Sequence, residues 1–506
     1  MPEFKCAGCL ETATSDALDP ICRECGSALI LSEGPISSME PGPFERRPAG
    51  VWRYGEFLPS PRVESRVSLG EGGTPLLRAD NLGAELRLKD LLIKDETRNP
   101  TGSFIDRGST VLVSLARERG VTSCSCVTTG NLGASIAAYC AKAGIGAEIR
   151  LRPGTDRGKL YQMIAYGARI ETSSKATGKD GPDDRSISVT AGNPYILEGE
   201  KTTCFEIIQE LGWKTPDVML VPVGTGGHLS MFRRGISQLM RSGLIDKSSS
   251  RLVGVRFAGS APTVVNPHAT TRPSPVEEPF TELEESEPFL RSEAARAIEE
   301  TGGGWVETTV KETIDATGLL ARTEGIFAEP AAASVVASLQ TAKSRGLIDS
   351  DETIVCVITG AGLKDTKAIA RIARAARPAV VTEDYPVARL QVGATKLQLL
   401  HSLSSRTRFG YELWKGLSSE RRITTASVYQ HLSELEGMAL VRKAGVTHVK
   451  GRERVLYELT RRGTDLLKMA GRIEDEKHTH FRARPVRPSR LQHPSDGKSL
   501  APQVIP

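Results

Sequence analysis

Between residues 71 and 380 the chain alternates short apolar runs with stripes of helical spacing. RLKDLLIKDE (87–96), SCSCVTT (123–129), AEIRLR (147–152) and VMLVPV (218–223) read as strands, the last apolar throughout. STVLVSLARERG (109–120) and ASIAAYCAKAG (134–144) place apolar residues three and four apart, the spacing of a helix with one buried face. Alternation of this kind predicts an α/β domain with a largely parallel sheet. Upstream, residues 31–70 are rich in Pro and Gly and read as a connector.

The pattern changes after a Pro-bearing stretch, AVVTEDYPV (379–387). Leu397, Leu400 and Leu403 form a helical stripe, and GYELWKGL (410–417) reads as a second short helix. A third runs over 424–436, with Thr424 or Thr425 able to cap it and Val428, Leu432 and Leu435 on its buried face. Ser427, Gln430 and His431 are left to face outward. A strand at 439–443, a basic turn at 449–454, a strand at 455–459 and a helix from Thr460 complete a domain expected over 390–480. From about 482 the chain has Arg and Pro with little apolar content, which predicts a disordered tail.

Composition sharpens this division. The 506 residues are 39% apolar and 25% charged, ordinary for a soluble protein of about three domains. No apolar run approaches the roughly 18 residues of a membrane span, and MPEFKCAGCLE lacks a signal peptide's apolar core. A cytoplasmic protein with reduced or metal-bound cysteines is therefore expected. Residues 385–506 carry 22 Lys and Arg against 11 Asp and Glu, a net +11 in a chain of net +5, so the first 384 residues sum to −6. A basic last quarter on an acidic body points to a polyanion partner for that quarter alone.

Cys6, Cys9, Cys22 and Cys25 form two C-x2-C pairs separated by twelve residues. Two such pairs can close one tetrahedral Zn²⁺ site of four thiolates, and four protein ligands make it structural. A zinc ribbon over 1–30 is expected.

The 71–380 region carries more specific motifs. Glu71-Gly-Gly-Thr-Pro-Leu76, Thr128-Thr-Gly-Asn-Leu-Gly-Ala134, Glu324-Gly-Ile-Phe-Ala-Glu-Pro330 and Thr359-Gly-Ala-Gly-Leu-Lys-Asp365 recur in this order. In Val221-Pro-Val-Gly-Thr-Gly-Gly-His-Leu-Ser230 a strand enters a glycine-rich turn and then a helix, where exposed N–H groups hold an anion. Together these resemble threonine synthase, a pyridoxal-phosphate (PLP) enzyme of fold type II with a two-subdomain parallel-sheet body. The resemblance spans about residues 1–380. It implies that Asn131 lies beside the cofactor ring, that Gly224, Thr225, Gly226, Gly227 and His228 cradle the phosphate, and that Thr359 meets the pyridine nitrogen.

One position departs from that pattern. In Lys94-Asp-Glu-Thr-Arg-Asn-Pro-Thr-Gly-Ser-Phe-Ile-Asp-Arg-Gly108 the family places its Schiff-base lysine between Phe104 and Asp106, and this chain has Ile105. An isoleucine forms no imine and moves no proton. Lys94 and Lys364 do not occupy the end of the helix that presents the family's lysine. The family's helix after Tyr166-Gly-Ala168 is replaced by a short polar run, and the acidic stretch within 262–300 has no counterpart in its substrate-proximal helix.

GYELWKGL, SVYQHLSELE and GRERVLYELTRRG resemble the PadR-type winged-helix regulators. That resemblance implies a third helix in the DNA major groove, with Lys450, Arg452 and Arg454 of the wing at phosphates or the minor groove, and a final helix that dimerises. The expectation is a homodimeric DNA-binding regulator. Its threonine-synthase-like body would sense a small anionic ligand of amino-acid metabolism, with PLP held non-covalently if at all. The alternative is an active PLP-dependent threonine synthase, converting O-phosphohomoserine to threonine and phosphate, with a regulatory winged-helix appendage.

Overall fold

The computed structural model describes residues 1–128, 130–152, 154–171, 185–258, 290–375, 387–418, 423–449 and 452–467. The polar run 173–184, the acidic stretch 262–289, Lys450 and the tail from 482 lie outside the described residues. The chain divides into two compact units, Met1–Arg377 and Pro378–Pro506.

The first unit holds two sheets built from the apolar runs. The larger has six strands in the order Gly304–Thr308, Arg251–Phe257, Val218–Pro222, Thr353–Ile358, Asp90–Asp95 and Leu76–Arg78. All neighbours are parallel except the edge pair of Leu76–Arg78 with Asp90–Asp95. The central strand Val218–Pro222 is buried at every residue, which is why its sequence is apolar without alternation. The smaller sheet orders Arg169–Glu171, Gly146–Leu151, Ser123–Thr128 and Ser186–Val189, all parallel. The helices Asp106–Glu118 and Asn131–Ala143, both predicted, pack in the core beside this sheet.

The cysteine segment forms a three-stranded antiparallel sheet, Thr12–Thr14, Glu3–Cys6 and Leu29–Leu31, with Cys6 ending its central strand and the other three cysteines in the connections. It is stitched to the body. Phe4, fully buried, meets the Tyr195 ring edge-on at 6.2 Å. Asn193 Nδ2 donates to the Leu18 carbonyl (2.7 Å), and the Ser188 N–H donates to Asp19 Oδ2 (2.8 Å). The stretch 31–70 is more than a connector. Phe44 stacks with Tyr54 and Phe57, and both of these reach Phe205 at 5.3 and 5.0 Å. Burial of these rings fixes a segment whose local sequence has no regular period.

The second unit follows the predicted order. Helices Val387–Leu403, Gly410–Ser418 and Thr425–Gly437 precede the antiparallel pair Val441–Val449 and Arg452–Leu459, to which the short strand Arg408–Phe409 adds an edge. Thr424 caps the third helix, its Oγ1 accepting the Ser427 N–H at 3.2 Å. Val428, Leu432 and Leu435 are fully buried with Leu400 and Leu403, and Leu399 joins them. Among the described residues no helix is long and apolar enough to cross a membrane.

Candidate functional site

The sheets of the body bring their carboxyl ends to one cavity of about 390 Å³. Thr128, Val189, Pro222 and the residues just after Ile358 all open onto it, the usual place for a ligand in an open α/β sheet. Ile105, Asn131, Gly224, Thr225, Gly226, His228 and Thr359 line this one cavity. Gly227 begins the helix Gly227–Arg241 behind it.

The glycine turn is shaped for an anion. Gly226 adopts φ +89°, and a Cβ there would come within 2.6 Å of the Leu290 carbonyl. The turn is braced by Leu290 N–H donating to the Thr225 carbonyl (3.1 Å) and Gly227 N–H donating to Thr225 Oγ1 (3.2 Å). The 15-residue helix that follows directs its positive end at this turn. Asn131 Nδ2 donates to Glu329 Oε2 at 2.9 Å, while its buried Oδ1 has no hydrogen-bond partner. Such an orphaned acceptor beside an anion cradle fits a ligand bearing both a phosphate and a donor group.

Glu329 is the hub beneath the cavity. Its Oε1 lies 3.0 Å from Lys159 Nζ. Burial would raise this carboxyl, yet the Lys159 and Lys364 ammoniums and the Asn131 amide hold it below its ordinary value. Lys364 is pushed down to about 8, first by burial. Its Nζ is buried without a hydrogen-bond partner.

His228 follows the glycine turn directly and is packed among aromatic rings. The His228 ring stacks on Phe104 (4.1 Å between centroids, 21° between planes) and meets Phe232 edge-on. Its Nε2 pairs with Thr203 Oγ1 at 3.3 Å, and burial pushes its pKa down to about 3, so the ring is neutral. Glu200, also in the wall, is held well above the ordinary carboxylate range by burial alone. Ile105 is 7% exposed and stands at the start of the helix Asp106–Glu118. The next residue locks the loop, since Asp106 accepts from the Thr101 N–H, the Thr101 hydroxyl and the Ser135 hydroxyl.

No lysine is among the described residues lining the cavity. Lys94 is engaged elsewhere, at 2.5 Å from Glu210 Oε1 and 3.0 Å from Glu206 Oε2. Sequence reasoning left Glu329, Lys159, Glu200 and Arg152 without roles. Glu329 lies in the Glu324–Pro330 motif; the other three carry no local signal.

The cysteine cluster is assembled. All four Sγ atoms lie within 4.8 Å of one another, with Cys6–Cys25 at 3.4 Å and Cys9–Cys22 at 3.6 Å. Four thiolates around Zn²⁺ at about 2.3 Å would be close to this spacing. The N–H groups of Gly8 and Cys9 donate to Cys6 Sγ at 3.3 and 3.4 Å, as in a metal knuckle.

In the second unit Gln430 is exposed, but Ser427 and His431, expected to face outward, are half-buried. The helix turns more of its flank inward than the apolar stripe alone indicates. Glu434, bound by Lys396 of an earlier helix at 2.5 Å, lies beside His431 Nδ1 at 3.6 Å. Arg454 holds its guanidinium 5.8 Å over the Tyr411 ring. Arg452 pairs with Val449 at the ribbon's end, and Lys450 lies outside the described residues.

Comparison with known proteins agrees with this anatomy. Residues 67–360 match the family model "Pyridoxal-phosphate dependent enzyme", and residues 399–469 match "Transcriptional regulator PadR-like family". Threonine synthase of Methanocaldococcus jannaschii is 39% identical over 383 residues, covering 72% of this chain and 94% of that protein. Threonine synthase of Methanosarcina acetivorans is 34% identical, covering 73% and 94%. The fold matches the processed form of threonine deaminase isoform 2 from Solanum lycopersicum (TM-score 0.50, 18% identity, 65% of this chain and 96% of that one). The chain thus belongs to the threonine synthase family of pyridoxal-phosphate-dependent enzymes, and joins to that body a PadR-like regulator domain.

Proposed function

We propose that this protein is a DNA-binding transcriptional regulator whose threonine-synthase-like body senses a phosphorylated or amino-acid ligand instead of turning it over. What carries the proposal is Ile105, an apolar side chain lining the cavity, which the resemblance sets at the position of the family's lysine. PLP, when bound to an enzyme, supplies an electron sink for reactions at an amino acid's α-carbon. Here the glycine turn 224–227 would hold its phosphate, Asn131 its ring face and Thr359 its ring nitrogen. Nothing in that set supplies an amine. A ligand held there acts by binding one arrangement of the body better than another, and DNA affinity changes by that difference. Four thiolates of Cys6, Cys9, Cys22 and Cys25 would hold a structural Zn²⁺, and the PadR-like domain would pair two chains into a homodimer on DNA.

Absorbance spectra with added PLP, before and after borohydride, recorded beside an Ile105→Lys variant, test this. The expected result is a borohydride-fixed pyridoxyl label on Ile105→Lys and none on the natural chain. A label on the natural chain would overturn it. A second reading, an active threonine synthase with a regulatory appendage, has support in the identity across the whole body and in Lys364, a buried amine with no hydrogen-bond partner near Glu329. Release of phosphate from O-phosphohomoserine by purified protein, lost in Lys364→Met, would favour it.

A further inference from the structure

Two carboxyls line the cavity, and one of them has no cation. Glu329 is met by Lys159 Nζ and by the Asn131 amide. Glu200 is as deeply buried, at 3% exposed, and the surface it keeps belongs to the cavity it lines. Among the described residues nothing hydrogen-bonds or ion-pairs with its carboxyl. Arg152, the only cationic side chain among the described lining residues, does not reach it. Burial therefore raises Glu200 unopposed, whereas at Glu329 the neighbouring ammoniums outweigh burial. A buried acid without a partner is costly, and one that opens onto a ligand cavity is matched by a cation that arrives with the ligand.

The fold sets this acid between the anion turn and Ile105. Glu200 ends the helix Pro194–Glu200. One turn earlier on that helix Leu197 abuts the glycine turn, where a Cβ on Gly227 would lie 2.6 Å from Leu197 Cδ2. Three residues after Glu200, Thr203 Oγ1 pairs with His228 Nε2. Residues three apart on a helix stand about 5–6 Å apart, so Glu200 is about one turn from both contacts. The other flank of the helix crosses the start of Asp106–Glu118, with glycine at both points of approach. A Cβ on Gly108 would lie 2.5 Å from the Ile196 carbonyl oxygen, and one on Gly199 would overlap the Arg107 carbonyl. Gly199 precedes Glu200, and Ile105 lies two residues before Arg107.

On the reading proposed above, the turn holds a phosphate, Asn131 and Thr359 meet a pyridine ring, and the protein offers no amine at Ile105. We infer that the ligand brings the amine itself, and that Glu200 selects pyridoxamine phosphate, the amine form of the cofactor, over the aldehyde. The inference rests on that reading of the cavity. Ile105 gives an aldehyde no bonding partner, while the ammonium of the amine form meets the one carboxyl that the cavity leaves unpaired.

Pyridoxal, pyridoxamine and pyridoxine phosphates share ring and phosphate and differ in one substituent: aldehyde, ammonium or hydroxyl. Isothermal titration of the full chain with each, in a buffer free of primary amines, tests the inference. Pyridoxine phosphate is the decisive comparison, because the aldehyde also reacts with surface lysines. Pyridoxamine phosphate is expected to bind at least about tenfold more tightly than pyridoxine phosphate, as one charge-assisted contact allows. Glu200→Gln should remove that preference and leave pyridoxine phosphate binding unchanged. Equal binding of the three forms by the natural chain overturns the inference and leaves the cavity's reading standing. A preference that survives in Glu200→Gln also overturns it. So does a variant that loses pyridoxine phosphate as well, since Glu200 is then structural. Absence of binding by all three overturns the reading of the cavity, and the inference with it.

Discussion

Arg107 keeps its guanidinium wholly out of water, and it can do so because four carboxylate oxygens meet it. Glu96 lies at 2.6 and 2.7 Å and Glu206 at 2.7 Å from two nitrogens, with Thr74 and Thr202 completing its donors. Arg107→Met would leave two buried acids short of their cation, and a loss of roughly 3–5 kcal/mol is expected in urea unfolding. A loss below about 1 kcal/mol would mean that Lys94 compensates. Lys364 makes the opposite kind of statement. Its folded pKa of about 8 lies below its ordinary 10.5, so between these values the unfolded chain binds more protons. Stability of the natural chain should therefore rise with pH from about 8 to 10.5 relative to Lys364→Met, and the penalty is fully present below 8. Parallel curves for the two proteins would refute this. Ile105 was legible because a long motif surrounds it. Glu200 and Lys159 were not, because a single buried titratable side chain leaves no period in the sequence around it.

At the scale of elements, the strands and helices of the body were legible where a fully apolar run or a helical stripe met a turn. The winged-helix core was equally plain, with Val428, Leu432 and Leu435 at the spacing that buries them. Leu432→Ala should cost about 2–5 kcal/mol in the second unit. Because that unit has its own core, calorimetry should show its transition moving while that of the body stays. The 31–70 segment was illegible. Its order comes from Phe44, Tyr54 and Phe57 meeting Phe205 from another part of the chain, and no local pattern encodes such a contact. In the cysteine ribbon, Gly8 admits no side chain. A Cβ there would lie 2.4 Å from Ser27 Oγ and 3.3 Å from Cys25 Sγ. Gly8→Ala is expected to lower the zinc content of purified protein below that of the natural chain, measured by atomic emission.

The whole molecule is an acidic body joined to a basic last quarter. Duplex DNA binding by the full chain should weaken steeply as salt rises, because phosphate contacts release counterions. A salt-independent affinity, or none, would remove DNA from the proposal. The body also ties its first residues to its centre. Asp19 is bound to Ser188 and Leu18 to Asn193, and Ser188 belongs to the cavity wall. Thiol chemistry at the ribbon is therefore not local. An oxidant that couples Cys6 to Cys25, and so removes two of the four ligands of the proposed zinc site, would loosen the 16–19 loop, and with it the wall that a ligand would touch. Ligand affinity would then report the redox state of the protein's surroundings, although the sulfurs never meet the ligand.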